Sequence, residues 1–179
     1  TQSFDFLATL APMIDFKNKL VPLIETSRAI ETVTQIAAFK DVVGLFFGAA
    51  DASASLGCKL AWEPLLYARH RVVLAASMFN LFTIDAPYFY IDKMAGLKEE
   101  AEAVKNLGFT GKAAIHPDQI DYINEAFSPS AEEKAEAKKV LEEYQKSGGG
   151  AIKVDGQMID EPIAEAMRLK ITLGEEEKK

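Results

Sequence analysis

The chain has one cysteine, Cys58, in 179 residues. A single thiol excludes an internal disulfide and a cysteine-based zinc site, and it suits a reducing compartment. Histidine is almost as scarce, and neither His70 nor His116 has a second histidine at ligand spacing. A basic excess is missing too: 20 Lys and Arg face 27 Asp and Glu, for a net charge of −7. Sequence-independent nucleic-acid binding needs a basic face, so that class is excluded, and an anionic ligand must be held by a few local cations or a metal. No apolar run approaches the ~20 residues that cross a bilayer. No basic residue precedes Lys17, so neither a membrane span nor a signal peptide is expected, and the expected location is the cytoplasm. The chain opens on Thr1, with Phe4, Leu7, Leu10, Ala11 and Ile14 already at helical spacing; an N-terminal part is expected to precede it.

What is present is enough apolar residue to bury a core: 49% of the chain is hydrophobic and 26% charged, the balance of a folded domain. Short apolar runs at Leu20 to Ile24, Val42 to Phe47, Phe82 to Ile84 and Lys112 to Ile115 read as strands. Between and after them, helical spacing predicts helices from Arg28 to Phe39, from Pro64 onward, from Leu97 to Leu107 with Gly108 as its C-cap, and briefly after Pro117. Strands that are apolar throughout and separated by helices predict a parallel sheet covered on both faces, hence an α/β class. The pattern then changes. Ser130 and Glu133 form a capping box for a polar helix from Ala131 to Lys146, followed by a Gly148-Gly149-Gly150 hinge. An edge strand at Ala151 to Val154, a hairpin turn at Asp155-Gly156, and a last helix from Glu161 to Leu173 with a charged tail complete the chain. Residues 1–128 therefore read as the repeating domain and 129–179 as a C-terminal helical appendage.

Four polar groups, Glu25, Asp51, Asp85 and His116, fall at or just beyond the four strand ends. In a parallel α/β fold those ends lie on one face, so the groups are expected to converge there; capping of the next helix is the competing explanation for each. Glu25 and Asp51 are one strand–helix unit apart, which places them on neighbouring strands at one level. Two adjacent carboxylates repel unless a cation lies between them, and Mg²⁺ typically takes one or two protein carboxylates and fills its shell with water and substrate oxygens. Trp62, Tyr88 and Tyr90 read either as packing or as the wall of a ligand groove. His116, in a tight loop before Pro117, reads as structural, the triple glycine is not a phosphate loop, and Cys58 reads as a small buried hydrophobe.

Several segments carry a family resemblance: Leu23-Ile24-Glu25-Thr26-Ser27-Arg28; Phe47-Gly48-Ala49-Ala50-Asp51 with Ser55-Leu56-Gly57; Tyr67-Ala68-Arg69-His70-Arg71-Val72-Val73; and Thr83-Ile84-Asp85. It continues through Gly111-Lys112-Ala113-Ala114-Ile115-His116-Pro117-Asp118-Gln119-Ile120, Asn124 to Ser130, and Val154 to Asp160. From about Leu20 to Leu169 the chain resembles the citrate lyase β-subunit-like family of the HpcH/HpaI aldolase and malyl-CoA lyase superfamily. The resemblance implies a (β/α)₈ TIM-barrel lyase that cleaves a carbon–carbon bond in a hydroxyacyl thioester of citryl, malyl or citramalyl type. The carrier is coenzyme A or acyl carrier protein, the cofactor Mg²⁺, and the assembly a homo-oligomer, often a trimer. Residue by residue, it implies Glu25 and Asp51 as metal ligands and Asp160 as a catalytic acid reaching a neighbouring subunit's site. It places Lys112, Ile115, His116 and Pro117 beside the thioester.

A full barrel takes ~250 residues, so four units and an appendage correspond to a C-terminal half. The family's first four strands are missing, and with them the arginine expected to grip the substrate carboxylate. Ala29 stands where the family usually has glycine, and Arg69 and Arg71 read as structural residues on a helix. Two further readings stand beside the lyase: a metal-dependent aldolase for free hydroxy-oxo acids, which Asp51 to Gly57 also resembles, and a non-catalytic half-barrel acting as an assembly partner.

Overall fold

The computed structural model describes residues 3–10, 19–148 and 150–176. Ala11, Ile14 and Gly149, each part of an expected element, lie outside them. The chain divides into two compact units, one running to Ile123 and one beginning at Asn124. No described helix is long and apolar enough to cross a membrane.

The first unit contains α1 (Phe4–Leu10), β1 (Leu23–Ile24), α2 (Ser27–Glu31), α3 (Val33–Ala37), β2 (Gly44–Phe47), α4 (Ala49–Leu56), α5 (Trp62–Ser77), β3 (Phe82–Asp85), α6 (Met94–Leu107) and β4 (Gly111–Lys112). The four strands form one sheet in the order β1-β2-β3-β4, and every pairing is parallel. This is the α/β class that the alternation predicts. Side chains alternate across a strand, and burial follows that alternation. Ile24, Leu45, Phe47, Thr83, Asp85 and Lys112 are buried on the face where α5 packs on β2 and β3 and α6 on β4. Leu23, Phe46, Ile84 and Gly111 form one cross-strand row on the other face and are only half-buried.

Local chemistry moves several expected boundaries. The first strand pairs at Leu20 with Val42 and again only at Leu23–Ile24, because Pro22 between them has no N–H to add to the ladder. The expected helix from Arg28 to Phe39 is split at Thr32, whose hydroxyl donates to the Arg28 carbonyl at 2.9 Å and whose backbone leaves the helical region at φ −98°, ψ 14°. Ala49–Leu56 forms a helix that the pattern does not announce, since its Ala and Ser residues make no long apolar stripe; it stops at Gly57, φ 68°. The helix expected from Pro64 begins two residues earlier, with Pro64 in its first turn. β4 occupies Gly111–Lys112 rather than Lys112 to Ile115. Ala113 N–H still reaches the Asp85 carbonyl at 2.9 Å, but Ile115 N–H is taken by the Gln119 side chain at 3.0 Å and the chain turns.

A 3₁₀ turn at Pro117–Gln119 leads into α7 (Ile120–Phe127). The second unit holds α8 (Ala131–Lys146), β5 (Ile152–Val154), β6 (Gln157–Ile159) and α9 (Glu161–Glu176). The Ser130–Glu133 capping box is formed. β5 and β6 pair antiparallel through Asp155 and Gly156, both at positive φ, the primed turn that matches strand twist. Val140, Leu141, Tyr144, Val154, Ile159 and Ala164 make this unit's core.

Candidate functional site

The four strand-end groups have three different fates. Glu25 follows β1 where Ile24 pairs with Phe47, so the next residues in register are Glu25 and Gly48, and Gly48 N–H bonds the Ile24 carbonyl at 2.9 Å. A Cβ at Gly48 would stand 2.8 Å from Glu25 Cβ and 3.4 Å from Glu25 Oε2. The Glu25 carboxylate thus lies over the bare backbone that opens α4. Asp51 is exposed in the first turn of that helix. Glu25 is not the cap of α2, because Thr26 Oγ1 takes that role, accepting from Ala29 N–H at 3.1 Å. Ser27 N–H donates to Ser55 Oγ at 2.9 Å, tying the start of α2 to the last turn of α4. Glu25 and Asp51 are hard oxygen donors on two successive strand-to-helix connections, Glu25 beside the backbone that opens α4 and Asp51 in that helix's first turn. Among the described residues no group of three or more His, Cys, Asp or Glu forms a closed metal cage; the pair fits a cation that completes its shell with water and ligand oxygens.

Asp85 goes the other way. It lies one residue past Ile84, so alternation turns it toward the helices, where it is fully buried. Arg69 of α5 donates to it through Nε at 2.8 Å, and Lys112 Nζ at 2.9 Å. Lys112 also donates to the Ala86 carbonyl at 2.7 Å and to Glu100 at 2.7 Å, which uses all three of its protons. Two cations and two carboxylates neutralise one another between sheet and helices. The Arg69 guanidinium lies 4.7 Å from the Trp62 ring and 5.3 Å from the Phe47 ring, and its Nη1 has no hydrogen-bond partner among the described residues. Arg71 is also bound structurally, through Nη2 to the Glu31 carbonyl at 2.8 Å.

Trp62, Tyr88 and Tyr90 both pack and line space. All three, with Arg69, Phe89 and Glu100, wall a cavity of about 60 Å³. Trp62, Tyr88 and Glu100 also border an open groove of about 330 Å³. Burial, with Glu100 next in weight, pushes the Tyr88 phenol above its usual range.

The loop after β4 carries Ile115, His116 and Pro117. Ile115 is 49% exposed. His116 Nδ1 accepts from Asp118 N–H at 3.3 Å and so caps the 3₁₀ turn that Pro117 opens, which leaves the neutral ring's proton on Nε2. The residue that the sequence left unmarked here is Gln119. Its side chain is fully buried, accepts from Ile115 N–H at 3.0 Å and donates to the Tyr88 carbonyl at 2.9 Å. The available signal was a lone amide inside a stretch otherwise punctuated by isoleucines. Cys58 is half-buried.

Asp160 belongs to the second unit, where its Oδ1 accepts from Ile163 N–H at 3.3 Å and caps α9. At that helix start, Arg168 and the Tyr144 hydroxyl hold the Glu161 carboxyl below its usual range.

Comparison with known proteins gives this geometry its relatives. Human mitochondrial citramalyl-CoA lyase is 36% identical over 170 residues, covering 86% of this chain and 49% of its own length. Citrate lyase subunit beta of Haemophilus influenzae is 32% identical over 157 residues, covering 84% of this chain and 54% of its own. The chain thus spans about half the length of the curated relatives it matches. A crystal structure of CitE from Mycobacterium tuberculosis in complex with magnesium, acetoacetate and coenzyme A superposes with a TM-score of 0.85 at 31% identity, covering 98% of this chain and 66% of that one. The model of the HpcH/HpaI aldolase/citrate lyase family matches residues 15–117, more than half of the sequence and all four strands of the parallel sheet, and the chain belongs to that family.

Proposed function

We propose that the four-stranded unit is the second half of a (β/α)₈ barrel. Residues 1–128 form the barrel part, and 129–179 the appendage that carries Asp160. The assembled protein is a Mg²⁺-dependent carbon–carbon lyase. Its substrate is a citryl, malyl or citramalyl thioester on coenzyme A or acyl carrier protein, and its products are an acetyl thioester and a 2-oxo acid. The observation that carries this reading is the corner where the Glu25 carboxylate lies over Gly48 and Asp51 follows in the first turn of α4. Magnesium and coenzyme A in the Mycobacterium tuberculosis relative support it, as does the citramalyl-CoA lyase activity named for the human relative.

In this reading Glu25 and Asp51 hold the metal. Bound there, Mg²⁺ would supply Lewis-acid stabilisation to the substrate hydroxyl oxygen as it loses its proton, a contribution on the order of several kcal/mol. The substrate hydroxyl gives its proton to solvent water and becomes the oxo group. The electron pair of the broken bond passes to the thioester as an enolate, whose carbon then takes a proton. Asp160, from a neighbouring subunit of a homotrimer, exchanges that proton. Ile115, His116 and Pro117 border the thioester. Lys112, its protons committed to Asp85, Glu100 and Ala86, acts by fixing the strand end behind them. The compartment is proposed to be the cytoplasm, on the single thiol, although the human relative is mitochondrial.

The test is an assay of the full-length protein against citryl-, malyl- and citramalyl-CoA, with Mg²⁺ and with chelator, following acetyl-CoA and 2-oxo acid together. Stoichiometric release of both that stops in chelator is the expected result. Asp51→Ala should abolish it with the circular dichroism spectrum unchanged, because the substitution removes an exposed carboxylate and no core volume. Turnover of free hydroxy-oxo acids alone would make the protein an aldolase. Inertness toward both substrate classes would favour the assembly-partner reading.

A further inference from the structure

Two loops close the carboxyl-end rim of the sheet beside β4, and they are fastened together from one side. The β3–α6 loop offers two inward carbonyls, Ala86 and Tyr88. Lys112 donates to the first at 2.7 Å and Gln119 to the second at 2.9 Å. Both side chains come from the β4 side, and both residues are buried. Gln119 alone makes the reverse connection as well: its Oε1 accepts from Ile115 N–H at 3.0 Å. One amide therefore uses its donor on one loop and its acceptor on the other. The Gln119 amide itself is fully buried, so losing a partner there leaves a polar group away from water, which is costly. Gln119 also sets the path of the backbone, since the Ile115 bond is what ends β4 and presents Ile115 outward and His116 on its turn.

We infer that Gln119 is a positioning residue for thioester binding, the cross-brace that holds the Ile115-His116-Pro117 loop against the Tyr88 loop. This rests on the reading of that loop as the border of the thioester, and it adds a group that need not touch substrate. A rigid loop binds with less ordering cost than a mobile one, so the brace acts on affinity for the thioester and leaves Glu25 and Asp51, which follow β1 and β2 at the other side of the sheet, unaffected.

The experiment uses the full-length protein with Gln119→Met, which keeps the side-chain volume and removes both hydrogen bonds. Gln119→Glu, which keeps an acceptor for Ile115 and loses the donor to Tyr88, serves as the second variant should the first fail to fold. Acetyl-CoA is the ligand, and amide hydrogen exchange at Ile115 reports the brace itself. The expected result is faster exchange at Ile115, a Kd for acetyl-CoA raised about tenfold, a KM raised in parallel, and kcat and Mg²⁺ affinity unchanged. A smaller rise in Gln119→Glu than in Gln119→Met supports the same conclusion. If the wild-type protein binds acetyl-CoA and the variants bind it equally well while Ile115 exchanges faster, the positioning role is overturned and the thioester reading stands. If the wild-type protein does not bind acetyl-CoA while Ile115 is protected, the thioester reading itself has failed and takes this inference with it.

Discussion

The carboxylate of Glu25 and the backbone of Gly48 share a space that would not hold a side chain on both. An added Cβ at Gly48 would lie 2.8 Å from Glu25 Cβ and 3.3 Å from Leu23 Cδ1. The first contact is to the root of a side chain, which cannot swing aside, so the neighbouring strand would have to shift. Gly48 has φ −99°, where any residue is comfortable, so the requirement for glycine is one of space.

Gly48→Ala is therefore expected to displace Glu25 and to lower Mg²⁺ affinity of the full-length protein about tenfold, measured by calorimetric titration. Forcing a methyl group into the contact should also cost about 1–3 kcal/mol of stability. Unchanged Mg²⁺ affinity in a folded Gly48→Ala protein would remove Glu25 from the metal site.

Asp85→Ala is expected to act on stability. It leaves Arg69 and Lys112 buried without their shared counter-charge, a loss of about 3–5 kcal/mol where one partner of a buried ion pair is removed. Asp51→Ala, at an exposed position, should cost less than about 1 kcal/mol. Urea denaturation of the two variants side by side checks this. Similar midpoints would show that the Asp85 cluster contributes little.

That contrast also marks how far the sequence could be read. The α/β class followed from four short apolar runs separated by helical segments, and β2 and β3 lie within a residue or two of where those runs placed them. The three acids and one histidine at strand ends looked equivalent in sequence. They separate in space because alternation turns Asp85 toward α5 while Glu25 clears the strand end. His116 is spent as a cap. Nothing local joins Arg69 to Asp85 or Gln119 to Tyr88, since those pairs form only when the sheet brings distant loops together. Thr32 and the Ala- and Ser-rich α4 were missed for a local reason: a hydroxyl bonding back to Arg28 breaks a helix that periodicity would continue, and small residues hide a helix that has no apolar stripe.

In the second unit, Glu161 accepts from Arg168 Nη1 at 2.7 Å and from the Tyr144 hydroxyl, and both hold its carboxyl below the ordinary value of 4.5. A carboxylate with a lowered folded-state pKa contributes stability that is fully present above its unfolded value and is lost as pH falls through the folded one. The packing of α8 with α9 should therefore loosen below about pH 4.5. Glu161→Gln should flatten that part of the pH profile, read from the Tyr144 ring resonances by NMR. A profile identical to wild type would mean that other carboxylates govern the acid transition.

The last prediction is that Asp160 serves a neighbouring subunit. Its Oδ1 is engaged at the N-terminus of α9, but a capping carboxylate has a second oxygen, and the two functions can be separated chemically. Asp160→Asn retains a capping oxygen and removes the acid, whereas Asp160→Ala removes both and should cost about 1 kcal/mol of helix stability. If Asp160 only caps, Asn should be close to wild type in activity and Ala modestly impaired through stability. If it moves a proton at the acetyl carbon, both variants should lose activity by about 10²-fold or more, the scale of general acid–base catalysis. Subunit mixing then locates the acid. Full-length Asp51→Ala and full-length Asp160→Asn are each expected to be inactive alone, and after exchange a mixed oligomer should recover activity, because one interface joins an intact metal corner to an intact Asp160 from the adjoining chain. Exchange is verified by mass spectrometry of differently tagged subunits. Full exchange without recovery, with both parents inactive, would place Asp160 in the site of its own chain.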